Sequence, residues 1–191
     1  MPQPPGDPPI RIDHLPYASR LQARALQDVE LVVIHCTELP DLAMARSYGE
    51  RVRYPGSGTG DSGHWYVDRD GAIVEYVPAN RVAHHVRGHN ERSVGIELVN
   101  RGRYPHWFAA GHQAMDEPYT EAQVAALLAL LARLRAQLPA LRHIAGHEDL
   151  DTDEVAATDD PAIRVRRKLD PGVMFPWQRI LDGVDLVRTG P

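Results

Sequence analysis

The sequence predicts a single α/β domain on three observations: a length of 191 residues, a β-branched run that stops at a histidine, and one capped amphipathic helix set among strand-like segments. At this length one core is expected, because chains divide into separate cores only beyond roughly 250 residues. Hydrophobic residues at 43% and charged residues at 25% suit a folded globular chain and exclude wholesale disorder. A formal net charge of -5 gives no electrostatic basis for a nucleic-acid partner. No run approaches the roughly 18 apolar residues of a membrane span, so no membrane partner is expected either, and a monomer is the expected state. Cys36 is the only cysteine, which excludes an intramolecular disulfide and leaves both redox compartments open. The start, Met1 to Pro9, lacks the basic and apolar stretches of a secretory signal. It reads as cytoplasmic, with the periplasm or export by a signal-free route as the alternative.

The first ten residues are too proline-dense for a helix or a central strand and read as an extended arm. Leu31-Val32-Val33-Ile34 suits a strand buried on both faces, and it ends at His35-Cys36-Thr37. A short helix is expected from Asp41 to Arg51, then a loop over Tyr54 to Gly60 whose Pro and Gly content makes it a candidate rim. His64 to Val67 and Ala72 to Val77 flank Asp70-Gly71, a pair that favours a hairpin turn in which both central residues take positive φ. Ser93 to Val99 continues as a strand whose apolar run is interrupted by Glu97. From Glu121 to Leu138, Val124, Leu127, Leu128, Leu131, Leu134 and Leu138 recur at helical intervals behind a Thr120/Gln123 capping box, and Pro139 ends the helix. Leu141 to Ala145 is a short strand with Gly146-His147 at its exit. An acidic loop then leads to Arg164-Val-Arg-Arg-Lys-Leu-Asp170-Pro-Gly.

Of ten histidines, His35 and His147 stand just after buried-looking strands, where a crevice forms over a rigid support. A catalytic zinc needs about three protein ligands and one open position, and a carboxylate serves as well as imidazole. A lone histidine is more often a hydrogen-bonded or surface residue, so these two gain weight only from what surrounds them. A structural zinc site would want four closed ligands, usually with cysteines, and this chain has one. Cys36 beside His35 points to the opposite strand face and is expected in the core. Asp149-Leu-Asp-Thr-Asp153 imitates the opening of a calcium loop, but Glu154 occupies the place of the required glycine, and a solvated lid is the preferred reading.

Six segments occur in order: Val33-Ile-His-Cys-Thr37, His64-Trp-Tyr-Val-Asp-Arg-Asp-Gly71, Ser93-Val-Gly-Ile-Glu-Leu-Val-Asn100, Tyr119-Thr-Glu-Ala-Gln123, Gly146-His-Glu-Asp149 and Arg167-Lys-Leu-Asp-Pro-Gly172. Together they resemble the N-acetylmuramoyl-L-alanine amidase type 2 family, whose branches include AmpD-like recycling amidases, phage lysozyme-type amidases and peptidoglycan recognition proteins. The resemblance covers residues 29–180, between a lead-in over 1–28 and a tail over 181–191. It implies a central mixed sheet flanked by helices with a zinc site at one end, and peptidoglycan or a muropeptide as substrate. It places Zn2+ on His35, His147 and Asp170. Asp159 or Asp160 is the alternative third ligand, less favoured because Asp170 carries the matching flanks.

The same resemblance makes Glu97 the general base and Lys168 the group that stabilises the anionic tetrahedral intermediate. A solvent-facing strand carboxylate and a loop lysine are the plain alternatives. His85, with His84 where relatives carry tryptophan, is expected to touch substrate, and His64 to pack under the sheet. Two departures stand out. Gly63 replaces the catalytic tyrosine of phage-type relatives, which leaves proton transfer to Glu97. His147 and Asp170 stand 23 positions apart, about twice the implied spacing, because of an acidic insertion over 148–163. The competing function is a non-catalytic peptidoglycan-binding module, against which the full set of ligands, Glu97 and Lys168 weighs.

Overall fold

The computed structural model describes residues 9–190. The expected extended arm lies mostly outside them. Strands β1 (Ile10–Ile12), β2 (Leu31–Cys36), β3 (Trp65–Val67), β4 (Ile73–Glu75), β5 (Ser93–Leu98) and β6 (His143–Gly146) appear in chain order. After them come β7 (Glu154–Ala156), β8 (Arg164–Arg166) and β9 (Val187–Arg188). Helices α1 (Leu42–Gly49), α2 (Glu121–Gln137), α3 (His147–Leu150) and α4 (Trp177–Gly183) intervene. Seven strands form one mixed sheet in the order β1-β4-β3-β5-β2-β6-β9, in which only β3 and β4 run antiparallel. The two edge strands come from segments that the family resemblance did not reach. They are too short to carry a periodic signal.

The sheet is sorted by alternation, since neighbouring residues on a strand face opposite ways. Val32 and Ile34 of β2 and Val94, Ile96 and Leu98 of β5 join Val124, Leu127, Leu130, Leu131 and Leu134 of α2 in the main core. Thr120 Oγ1 accepts from Gln123 N–H at 3.0 Å while Gln123 Oε1 accepts from Thr120 N–H at 3.1 Å, the reciprocal cap that the spacing predicts. The other face of the same strands carries Leu31, Val33 and His35 of β2 against Ser93, Gly95 and Glu97 of β5, and here the functional side chains collect. Cys36 is buried on the core face, as alternation requires.

The hairpin between β3 and β4 forms, but its turn differs from the expected type. Gly71 has φ +85 and Asp70 is not in the positive region. Gly71 N–H bonds to Asp68 O at 2.9 Å and Asp68 N–H to Ala72 O at 2.9 Å, so one left-handed residue closes a longer loop.

His64 is a buried strut. Gly95 N–H donates to its Nδ1 at 3.0 Å, which leaves Nε2–H to donate to Arg81 O at 3.0 Å. Burial, and then the Arg24 guanidinium beside it, pull its pKa from 6.5 to about 3. A histidine with a depressed folded pKa adds stability above its unfolded pKa and loses it as pH falls through the window between 6.5 and about 3. The expected loss is on the order of a few kcal/mol over that window. Denaturant unfolding of His64→Gln between pH 7 and pH 4 should show a shallower acid slope than the parent, by about one proton.

Candidate metal centre and active site

Parallel registry brings the site together. Ile34 pairs with Gly146 and His35 pairs with Glu97, so His147, one residue past Gly146, stands beside His35 at the carboxyl ends of β6, β2 and β5. Tyr66 continues the row as the partner of Glu97 on β3. Crevices at the carboxyl ends of parallel strands are where α/β sheets place their ligands. Here the row floors a groove of about 680 Å³ that Lys168, Asp170, His84 and His85 also line.

Asp170 reaches this row although the insertion separates it from His147. Glu148 N–H donates to Asp170 O at 2.9 Å, which fastens the two ends of the insertion together. Between them the chain is an ordered two-stranded ribbon rather than the expected loop, with Val155 paired to Val165. Asp159 accepts from Ala110 N–H at 2.6 Å, and Thr158 N–H donates to Phe108 O at 2.8 Å, so the ribbon is docked on the neighbouring segment. The solvated-lid reading therefore fails for Asp151, which is 4% exposed and ion-paired with Arg167 and Arg87. Asp159 is committed to that cap and, among the described residues, does not belong to the group formed by His35, His147 and Asp170. Of the three candidates for third ligand, Asp170, Asp159 and Asp160, Asp170 is the one grouped with His35 and His147.

His35 Nδ1, His147 Nδ1 and Asp170 Oδ2 form a triangle with edges of 3.0, 3.0 and 3.1 Å, and all three residues are buried. Tetrahedral zinc with bonds of about 2.0–2.2 Å separates its ligand atoms by about 3.3–3.6 Å, a few tenths of an ångström wider than the triangle here. The protonation states agree with a cation. Burial, then the His147 imidazole, lowers His35 to about 4 and leaves it neutral. Burial works against the Asp170 carboxylate, yet the His147 imidazole first, and then the close polar contacts with both imidazoles, hold it well below the usual range. Asp170 Oδ1 and His147 Nε2 are buried without a partner among the described residues. Two imidazoles and one carboxylate converging on a point fit a divalent metal in kind and in number.

Glu97 lies on the same face beside His35. Burial is the main reason its pKa rises from 4.5 to about 8, the Asp170 carboxylate adding to the rise and the Lys168 ammonium opposing it. A carboxyl poised near neutral pH can both take and give a proton. The acidic interruption of the β5 run is thus a partly buried group over the groove, not a solvent-facing one. Gly63 makes room for it, because a Cβ there would stand 2.8 Å from Glu97 Cγ and 3.3 Å from Gly95 O. A side chain at position 63 and Glu97 in its present place exclude each other. Gly63→Ala should therefore displace Glu97 and lower kcat by about tenfold or more with metal content unchanged, read by steady-state kinetics and elemental analysis.

The two adjacent histidines part ways. His84 lies in the groove wall against Tyr54, ring centroids 4.7 Å apart. His85 turns inward, with Nδ1 3.0 Å from His35 Nε2. One arrangement had no signal in the sequence. Arg103 is fully buried, grips Glu38 through two bonds of 2.7 and 2.9 Å, and donates to Arg166 O and Arg167 O at 2.9 and 3.3 Å. It thereby braces the backbone that leads into Lys168 and Asp170. Glu38 itself has φ +48, a conformation that the preceding Thr37 does not announce.

The family model described as N-acetylmuramoyl-L-alanine amidase matches residues 25–173. The 1,6-anhydro-N-acetylmuramyl-L-alanine amidase AmpD of Enterobacter cloacae is 31% identical over 122 residues, 59% of this chain and 51% of the relative. The AmpD of Haemophilus influenzae is 26% identical over 183 residues, 83% of this chain and 84% of the relative. Several of the curated relatives are matched over only about half their length, as the first of these shows. The Escherichia coli amidase AmiD, solved with anhydro-N-acetylmuramic acid-L-Ala-D-gamma-Glu-L-Lys, superposes with a TM-score of 0.62 at 25% identity, covering 85% of this chain and 60% of that one. The matched span takes in the β2 histidine, the β5 glutamate, His147 and Asp170, and the chain belongs to the N-acetylmuramoyl-L-alanine amidase family.

Proposed function

We propose that this chain is a zinc-dependent N-acetylmuramoyl-L-alanine amidase that hydrolyses the amide between the muramoyl lactyl group and L-alanine. The observation that carries the reading is the buried triangle of His35, His147 and Asp170 with Glu97 in register beside it. His35, His147 and Asp170 would hold the metal. When bound, zinc supplies Lewis acidity, polarising the scissile carbonyl and acidifying the attacking water. Glu97 takes the proton of that water and passes it to the departing L-alanine nitrogen, a double use that suits a carboxyl lifted towards neutral pH. Lys168, which lines the same groove, stabilises the oxygen that becomes anionic, the attraction being stronger in a groove partly shielded from water. Glu97 carries the proton transfer alone, since position 63 offers no hydroxyl.

The substrate side is a groove open to one face and of a size suited to a sugar-peptide fragment rather than a single amino acid. The relatives named for anhydromuramyl substrates support a soluble anhydromuropeptide as the preferred form. The purified protein, offered a defined anhydromuropeptide and intact sacculi in parallel, should release peptides beginning at L-alanine from the soluble fragment at the higher rate, identified by mass spectrometry. Faster release from sacculi would reassign the substrate to polymeric wall. Cleavage at any other bond would remove the amidase reading.

A further inference from the structure

We infer that His85, seated on Gly95 and anchored by Ser93, is a positioning residue that fixes His35 in the tautomer able to bind metal. The inference rests on the metal site proposed above. Ser93 Oγ donates its one proton to His89 O at 2.8 Å, so towards His85 Nε2, 3.2 Å away, it acts as acceptor. His85 Nε2 therefore carries the hydrogen, and its Nδ1 has a lone pair. That lone pair faces His35 Nε2 at 3.0 Å, which must supply the proton between them. His35 Nδ1 is left unprotonated, and Nδ1 is the atom that faces His147 and Asp170. Each step follows from counting one hydrogen per neutral imidazole and one per hydroxyl.

The surroundings hold the relay in place. His85 N–H and Val86 N–H both donate to Asn90 Oδ1, at 3.0 and 2.8 Å, and Arg24 donates to the carbonyls of Ala79, Asn90 and Ser93. Gly95 gives the ring its seat, because a Cβ there would lie 2.7 Å from His85 Cγ and Nδ1. The β5 row that faces the site thus reads as anchor, seat and base: Ser93, Gly95, Glu97. Among the described residues His147 has no comparable partner, its Nε2 being buried without one, so His35 is the imidazole that this relay orients. Outer partners of this kind typically change metal affinity by about 10–100-fold when removed.

Two measurements test this. Nitrogen-15 NMR of the metal-free wild-type protein should show His35 protonated at Nε2 and bare at Nδ1; the reverse tautomer would overturn the inference while leaving the metal site intact. Chelator competition should show zinc bound about 10–100-fold more weakly by His85→Ala, with KM at saturating zinc within about twofold of the parent. His85→Gln, whose amide oxygen can accept from His35 and whose amide nitrogen can donate to Ser93, should recover most of the affinity. Unchanged zinc affinity with a raised KM would instead make His85 a substrate contact, and a glutamine variant no better than alanine would also refute the relay. Absence of zinc binding by the wild type would sink the metal site itself, which the metal-free tautomer measurement does not depend on.

Discussion

Asp170→Ala is expected to yield a folded protein that no longer retains zinc and has lost at least about a thousandfold in kcat/KM. The carboxylate is 3% exposed and lies within 3.1 Å of both imidazoles, so it is the only anion in the triangle. Without it two imidazoles remain, too few donors and no anionic ligand to hold a divalent cation against chelation. Elemental analysis after dialysis reads the metal and circular dichroism the fold. Asp159→Ala serves as the contrast. Its carboxylate caps the 110–111 segment and its loss should leave zinc content untouched.

The second large effect separates chemistry from metal binding. Glu97→Gln should lower kcat by about 10²–10⁴, the range associated with loss of a general acid-base group, while zinc content and KM stay near the parent values. The substitution suits the site, because burial already pushes Glu97 towards its neutral form, with a pKa of about 8, and glutamine keeps that shape without the charge. Metal-free Glu97→Gln is therefore expected to melt no lower than the metal-free parent. A variant that kept full activity with zinc bound would remove Glu97 from the mechanism.

What the sequence discloses and what it conceals divides along physical lines. Strong periodic signals translate directly: the Leu31–Ile34 run became β2 and the Thr120/Gln123 cap opened α2. His35 and His147 were visible because polar residues at the ends of buried strands need a reason, and the odd carboxylate at position 97 stood out for the same cause. Asp170 was legible only through its flanking pattern, since a ribbon intervenes and nothing local shows that the backbones of residues 148 and 170 are joined. The inward turn of His85 was hidden because it depends on a loop held by Arg24 and Asn90. No rule of spacing connects those positions. Arg103 and Glu38 illustrate the limit more sharply. They lie 65 residues apart in loops without periodicity, and a buried arginine looks like a surface one until its partners are known.

The most direct test of the account is metal reconstitution on a defined substrate. The protein is stripped with chelator, titrated with zinc, and assayed at each addition on an anhydromuramyl-L-alanyl peptide. The account predicts no hydrolysis of the stripped protein and activity that rises to a break at about one zinc per chain, with a product peptide whose amino terminus is L-alanine. Hydrolysis that persists after stripping, or one bound zinc with the substrate recovered intact, would contradict it, and the second result would place this chain among binding modules.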